Sequence, residues 1–234
     1  YLNDKTNELV FSISSILKQI DKNTNLIVLA NPNSPIGDFG KEFWFRQLLS
    51  NIDLSIPILI DEAYFEFSEF EQFDLLKYYP NIIITKTFSK ALGAAGIRLG
   101  YTIANPEVIK ILNKLKPTFE VTGPSIKYAE YILDNYDDIV RPYVESVVEE
   151  KREIIDKLRK AGYYVIDSYC NWVHINNEVD NLDTEKIFNI FNVEFKNKLV
   201  IPHQKGNNWI RLSIVPGFTE TEIFKKLVNG KNIF

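Results

Sequence analysis

Residues 82–104 read IIITKTFSKALGAAGIRLGYTIA and decide the fold class. The stretch opens with an apolar run of strand length, Ile82–Thr85, and closes with a second candidate strand, Leu99–Ala104. Two other apolar runs, Leu26–Ala30 and Ile56–Ile60, come earlier and are separated from it by segments with helical spacing. Because fully apolar strands that alternate with helices are typical of covered parallel sheets, the sequence predicts an α/β fold with a mostly parallel sheet.

The rest of the chain predicts further helices and a second domain. Helical spacing covers Glu8–Ile20, Gly40–Asn51, Gln72–Tyr79, Pro106–Leu115, Pro124–Lys160 with a break near Pro142, Thr184–Phe191, and a last helix from Thr219. Short strands are predicted at Tyr163–Ile166, Trp172–Ile175 and Trp209–Val215. Since strands become fewer near Gly123, we expect residues 1–122 to be the later part of a large domain. Residues 123–234 then form a smaller α/β C-terminal domain.

Composition excludes several classes of protein. The 234 residues are 45% hydrophobic, which is enough for a core, and the net charge of −4 argues against nucleic-acid binding. No apolar run is long enough to span a membrane, and the single cysteine, Cys170, excludes an internal disulfide framework. Two histidines in different segments make a metal site improbable, so we expect none. We expect a cytoplasmic protein and, because methionine is absent and the chain opens at Tyr1, part of a longer one.

Polar residues follow each of the three predicted strands. The first strand leads into Asn31–Gly37 (NPNSPIG), the second into Asp61–Tyr64 (DEAY), and the third into Thr87–Lys90 (TFSK) with Arg98 further on. Because ligands bind beyond the carboxyl ends of strands in open α/β sheets, we expect these side chains to share one site. Singly, each has an ordinary structural explanation, such as a helix cap, a core-edge phenol or a solvated amine.

In combination, these residue types meet the demands of pyridoxal phosphate. A lysine in a cleft can form an imine with the aldehyde of the cofactor, and an aspartate on a neighbouring strand can keep the pyridine nitrogen protonated. A phenol and an amide can bond to the 3-oxygen of the ring, and hydroxyls with an arginine suit a phosphate.

Four stretches carry a family resemblance: NPNSPIG, DEAYFEF, TFSKALGAAGIRLGY and WIRLSI, in this order. On them the chain resembles a fold type I pyridoxal-phosphate aminotransferase of the histidinol-phosphate aminotransferase-like family. The resemblance implies that Lys90 is the covalent anchor of the cofactor, that Asp61 pairs with its pyridinium nitrogen, and that Tyr64 reaches its 3-oxygen. The residues that resemble the phosphate ligands of the family are Thr87, Ser89 and Arg98.

Two further implications concern the loop after the first strand and the late WIRLSI stretch. The family usually reads NPNNPTG, with the ring-contacting asparagine directly before the second proline. Here Ser34 holds that place and Asn33 precedes it, so both stay candidates for the ring contact. Arg211 resembles the small-domain arginine that binds the acidic group of the substrate. The amino-terminal third that the family would carry is absent from the sequence.

The resemblance implies an enzyme that moves an amino group between a small, phosphate-carrying amine or amino acid and a 2-oxo acid such as 2-oxoglutarate. A decarboxylase of an O-phospho amino acid, similar to threonine-phosphate decarboxylase, uses the same fold and lysine and remains an alternative. A catalytically silent homologue is a third hypothesis, which the intact set of Asp61, Tyr64, Lys90 and Arg98 opposes. The family also implies a homodimer with shared active sites.

Overall fold

The computed structural model describes residues 2–3, 8–9, 12–38, 40–68, 73–118, 120–176 and 209–229. Contacts divide the chain into two compact units. The first, called here the sheet unit, comprises Val10–Ser34 and Asp38–Pro142. The second unit comprises Tyr1–Leu9, Pro35–Gly37 and Tyr143–Phe234. The predicted domain boundary near Gly123 stays a prediction, and the grouping by contacts changes further along, at Pro142–Tyr143.

The elements alternate as the apolar pattern predicts. The strands are β1 (Leu2–Asn3), β2 (Glu8–Leu9), β3 (Ile27–Ala30), β4 (Ile58–Asp61), β5 (Ile82–Thr87), β6 (Gly100–Ala104), β7 (Tyr164–Ile166), β8 (Trp172–Asn176) and β9 (Trp209–Ser213). The described helices are α1 (Ile13–Leu17), α2 (Glu42–Leu49), α3 (Pro106–Leu115), α4 (Gly123–Asp134), α5 (Tyr136–Lys160) and α6 (Glu222–Asn229). Short 3-10 turns occupy Phe65–Phe67, Phe73–Lys77, Ala95–Ile97 and Phe218–Glu220.

The sheet unit is built on a four-stranded sheet in the order β3-β4-β5-β6. The first three strands are parallel and β6 is antiparallel to β5, which confirms the mostly parallel sheet. The register places Ala30, Asp61 and Thr85 side by side, so the carboxyl ends of the parallel strands meet at one edge. This edge is where the sequence predicts the site.

The core of the sheet unit lies on one face of this sheet. Side chains alternate between faces along a strand, and Ile58, Ile60, Ile82 and Ile84 all point to the same, fully buried face. They pack with α2 through Leu48 and other apolar residues of that helix. Removal of such side chains from water, at roughly 1.5–3 kcal/mol each, holds the sheet and helix together.

Helix ends in the sheet unit follow local capping chemistry. Asn105 caps α3, since its side-chain oxygen accepts the backbone N–H of Glu107 at 3.0 Å and Pro106 occupies the first helical position. Thr122 caps α4 in the same way, with Oγ1 accepting the backbone N–H of Ser125 at 3.3 Å. These caps set where α3 begins after β6 and where α4 begins after α3.

Two predicted helices differ from those observed. The segment Glu8–Ile20 is wrong as one helix: its first two residues form β2, and α1 begins after Ser12, whose hydroxyl accepts the backbone N–H of Ser15. A serine cap therefore overrides the apolar spacing of the earlier residues.

The long segment Pro124–Lys160 breaks at Asn135 and not near Pro142. The side-chain amide of Asn135 donates to the carbonyl of Tyr131 at 2.8 Å and ends α4, while Pro142 lies inside α5. A proline removes one backbone hydrogen bond, and α5 continues past it for several turns. The predicted helix Thr184–Phe191 lies outside the described residues.

The second unit contains a three-stranded antiparallel sheet in the order β7-β8-β9. Its three predicted strands are confirmed, with β9 ending at Ser213. Trp172 of β8 is fully buried, as are Ile154 and Leu158 of α5. In the part of the chain that the structure describes, no helix has both the length and the apolarity that a membrane crossing requires.

Candidate functional site

Asp61 ends β4 at the edge where the parallel strands finish. Its backbone carbonyl accepts the N–H of Asn31 at 2.8 Å, which joins it to the loop after β3. Its carboxylate oxygen Oδ1 accepts the N–H of Ala63 at 3.1 Å, and the other oxygen accepts no hydrogen bond from a described residue. The turn therefore orients the carboxylate and leaves one oxygen for a ligand.

Tyr64 and Lys90 meet at this edge although 26 positions separate them in sequence. The ammonium Nζ of Lys90 lies 5.1 Å from the centroid of the Tyr64 ring. Lys90 is exposed and has no carboxylate partner within the described part of the chain. An amine without an ion-pair partner can act as a nucleophile once it loses its proton.

The turn that carries Lys90 is tied down by backbone hydrogen bonds. The hydroxyl of Thr87 accepts the N–H of Ser89 at 3.1 Å, and the N–H of Gly93 donates to the carbonyl of Lys90 at 2.9 Å. Gly93 has a φ of +67° and open space where a side chain would be, so the turn has room on that side. Hydroxyl and N–H groups of this kind suit a phosphate.

Arg98 follows this turn in the sheet unit. It has a φ of +54°, in the left-handed region, and its guanidinium donates to the carbonyl of Ala95 at 3.1 Å. The side chain is exposed, so its remaining donors are available to an anion.

The loop after β3 carries Asn31, Asn33 and Ser34. Asn31 is buried and spans the loop, since its side chain accepts the N–H of Gly40 at 2.7 Å and donates to the Gly40 carbonyl at 3.1 Å. Asn33 is partly buried and lines a pocket with Ala30, Asn31 and Trp44, whereas Ser34 is exposed. Asp61, Tyr64 and Lys90 are not among the residues that line this pocket, so the choice between Asn33 and Ser34 for the ring contact stays a prediction.

Arg211 lies on β9 in the second unit. It pairs in register with His174 of β8, and its guanidinium lies 4.8 Å from the ring centroid of Trp172. A tryptophan ring attracts a guanidinium by a cation–π interaction, and the N–H groups of a guanidinium form a fork that matches an acidic group.

Two buried titratable side chains of the second unit have shifted pKa values. Burial lowers the pKa of His174 to about 4, against a hydrogen bond with the Ile36 carbonyl at 3.0 Å that acts to raise it. Burial raises the pKa of the Cys170 thiol well above its usual range. At neutral pH the imidazole is therefore neutral and the thiol protonated, which leaves both unsuited to a charged role.

The sequence reasoning missed a buried ion pair beside the site. Lys86 of β5 and Glu62, directly after β4, lie 3.3 Å apart with side chains only 4% and 1% exposed. The signal was present in the alternation of β5, because Lys86 follows Ile82 and Ile84 on the core face. A lysine at such a position needs a buried partner.

Comparison with known proteins gives first the fold class and then the family of the chain. The chain has the architecture of fold type I pyridoxal-phosphate-dependent transferases: a mostly parallel sheet with one antiparallel strand, helices, and a second α/β unit. The profile of aminotransferase class I and II matches residues 4–228, and the chain belongs to this family.

Individual proteins support the same assignment. Histidinol-phosphate aminotransferase 1 of Mannheimia succiniciproducens is 34% identical over 168 residues, which are 70% of this chain and 46% of that protein. Histidinol-phosphate aminotransferase 2 of Legionella pneumophila (strain Lens) is 30% identical over 210 residues, 87% of this chain and 55% of that protein. The chain spans about half the length of the curated relatives it matches.

A solved structure shares the fold at lower sequence identity. Histidinol-phosphate aminotransferase from Sinorhizobium meliloti, in complex with pyridoxal-5'-phosphate, has a TM-score of 0.72 and 22% identity. The match covers 94% of this chain and 59% of that one.

Proposed function

We propose that the chain is part of a pyridoxal-phosphate-dependent aminotransferase. The observation that carries the proposal is the meeting of Lys90 and Tyr64, 5.1 Å from amine to ring centroid, in the sheet unit whose β4 ends in Asp61. Membership of aminotransferase class I and II supports it, and two relatives, at 34% and 30% identity, are histidinol-phosphate aminotransferases.

The residues present fit the cofactor by the chemistry of their donor set. A carboxylate with one oxygen open suits a protonated ring nitrogen, and an unpaired amine suits an aldehyde. The phenol of Tyr64 and the amide of Asn33, or the hydroxyl of Ser34, suit the ring oxygen. The proposed phosphate ligands are Thr87, Ser89 and Arg98.

Each residue has a definite task in the proposed reaction. When bound, pyridoxal phosphate supplies an aldehyde that reacts with the amine of the substrate and a ring that takes up the electrons released at the α-carbon of the substrate. Asp61 holds the proton on the ring nitrogen. The freed amine of Lys90 would take the proton from the α-carbon of the substrate and would deliver it to the aldehyde carbon of the cofactor. Tyr64 lies beside the amine and holds it in place.

Arg211 is proposed to bind the acidic group of the substrate. Its guanidinium offers a planar fork that matches carboxylate or phosphate, and Trp172 supports it from one side. We propose that one substrate is a small amine or amino acid that carries phosphate, and that the acceptor is a 2-oxo acid such as 2-oxoglutarate.

A substrate assay tests the reaction against decarboxylation. The purified chain loaded with pyridoxal phosphate is incubated with histidinol phosphate, phosphoserine or phosphothreonine, each with and without 2-oxoglutarate. We expect glutamate to form only when the oxo acid is present. Release of carbon dioxide without an oxo acid would favour the decarboxylase and overturn the aminotransferase.

A labelling experiment tests the anchor. Borohydride reduction followed by mass spectrometry should place the cofactor on Lys90 in the wild type, and Lys90→Ala should abolish the label. Lys110→Ala removes an exposed lysine that pairs with Glu107 and serves as the matched control. Label on any other lysine in the wild type would refute the assignment.

The oligomeric state and location are also part of the proposal. We propose a homodimer with shared active sites, which light scattering of the purified protein checks directly, since a monomer would contradict it. A cytoplasmic location stays a prediction, and fractionation of cells that express the protein tests it.

A further inference from the structure

A buried charge cluster lies behind the proposed cofactor site, on the core face of the sheet. Lys86 and Glu62 form its ion pair at 3.3 Å, and the Lys86 ammonium also lies 3.3 Å from the ring centroid of Phe65. Glu66 lies at the margin of this cluster. Burial raises the pKa of its carboxyl, and the positive charge of Lys86 acts in the opposite direction.

The members of this cluster are direct chain neighbours of the site residues. Glu62 follows Asp61, Phe65 follows Tyr64, and Lys86 precedes Thr87. In a strand, successive side chains point to opposite faces, so the cluster lies on one face and the carboxylate of Asp61 on the other. A single ammonium thus joins the strand that leads to Lys90 with the turn that carries Tyr64.

The free-energy cost of an unpaired buried charge restricts the positions of the groups that surround Lys86. An ammonium removed from water is stable only when its partners stay close, because an unpaired buried charge costs several kcal/mol. Both Glu62 and Phe65 must therefore keep their positions around Lys86. Since the backbone of Glu62 also donates to the Thr85 carbonyl at 2.9 Å, the two strand ends are locked in register.

We infer that Lys86 is a positioning residue, which acts through Glu62 and Phe65 to set the approach of Tyr64 to Lys90 and thereby tightens the binding of pyridoxal phosphate. The inference rests on the proposed function and deepens it. It names a second lysine of the site that touches no cofactor itself.

The chain offers a matched control in Lys151. This lysine is similarly buried, at 7% exposure, pairs with Asp167 at 3.3 Å, and donates to the backbone carbonyls of Ser168 and Cys170. It lies in the second unit, whereas Lys86 lies in the sheet unit. Lys151→Met therefore removes a buried lysine without touching the proposed junction.

The experiment compares Lys86→Met, Lys86→Arg, the double variant Lys86→Met with Glu62→Gln, and Lys151→Met with the wild type. Each full chain is titrated with pyridoxal phosphate by absorbance, and the apo protein is examined by hydrogen exchange. We expect the affinity of Lys86→Met to fall about tenfold or more, because misplaced supporting groups commonly cost that much. Lys86→Arg should recover most of the affinity, and Lys151→Met should bind as the wild type does.

The double variant keeps the test decisive if Lys86→Met does not fold, because it removes both charges of the Lys86–Glu62 ion pair together. We expect it to fold, to exchange faster at residues 61–67 in the apo state, and to bind the cofactor weakly. Wild-type affinity in the folded double variant would overturn the inference and leave the proposed function standing. A wild type that takes up no pyridoxal phosphate would overturn the proposed function itself.

Discussion

Acidification should destabilise the second unit through His174. The imidazole is fully buried, its Nε2–H donates to the Ile36 carbonyl, and its Nδ1 has no hydrogen-bond partner among the described residues. A proton added at Nδ1 would therefore be buried without an acceptor. For this reason the pKa falls from its ordinary 6.5 to about 4 in the folded chain.

The magnitude follows from the difference between the folded and unfolded pKa values. The unfolded chain binds the proton first as pH falls, so the stabilisation is complete above pH 6.5 and is lost as pH falls towards 4. At 1.36 kcal/mol per unit, the full loss is about 3.4 kcal/mol, and the part lost between pH 7 and pH 5 is about 2 kcal/mol.

The assay is urea unfolding at pH 7, 6 and 5, followed by tryptophan fluorescence because Trp172 is buried in the same unit. His174→Gln serves as the reference, since glutamine keeps an N–H donor near the position of Nε2 and does not titrate. We expect the wild type to lose about 2 kcal/mol more than His174→Gln over this range. Parallel losses in the two proteins would refute the reasoning.

Three further predictions concern stability, each checked by urea or thermal unfolding. Gly37→Ala should cost at least about 2 kcal/mol, because φ is +85° and the added Cβ would overlap Ser168; Gly96→Ala, which meets open space, should be nearly neutral. Leu48→Ala, at 0% exposure, should cost about 2–5 kcal/mol, whereas Phe43→Ala on the same helix, at 78% exposure, should change stability by less than about 0.5 kcal/mol. Asn31→Ala should cost about 2 kcal/mol, because both backbone groups of Gly40 lose their partner; a cost no larger than that of Phe43→Ala would contradict the bridging role.

The sheet and its functional edge could be predicted from the sequence because their signals are local. Continuous apolar runs such as Ile56–Ile60 mark buried parallel strands, and the residues that follow each run must lie at one edge. The meeting of Tyr64 and Lys90 follows from this geometry. Their catalytic roles and that of Arg211 came from family resemblance and stay predictions.

The features that were missed depend on contacts between distant segments or on competing caps. Lysine usually lies at the protein surface, and the burial of Lys86 is explained only by its ion pair with Glu62 across neighbouring strands. Ser12 and Asn135 set helix ends by side-chain hydrogen bonds that outweigh apolar spacing and the proline signal. The hydrogen bond of His174 to the Ile36 carbonyl joins distant segments, and no local sequence pattern predicts it.

The turn Pro35–Gly37 has a consequence for the order in which the protein folds. It belongs to the second unit, and its Ile36 carbonyl forms a hydrogen bond with His174, which lies 138 positions later in the sequence. At synthesis rates of about 5–20 residues per second, the ribosome needs roughly 7–28 s to make the intervening chain. During that interval His174 is not yet made, and the hydrogen bond from the N–H of Asn33 to the Asp38 carbonyl at 2.9 Å spans the turn. The second unit can therefore be completed only late, when a long loop closes between the turn and His174. This holds even though the strands that flank the turn are synthesised early.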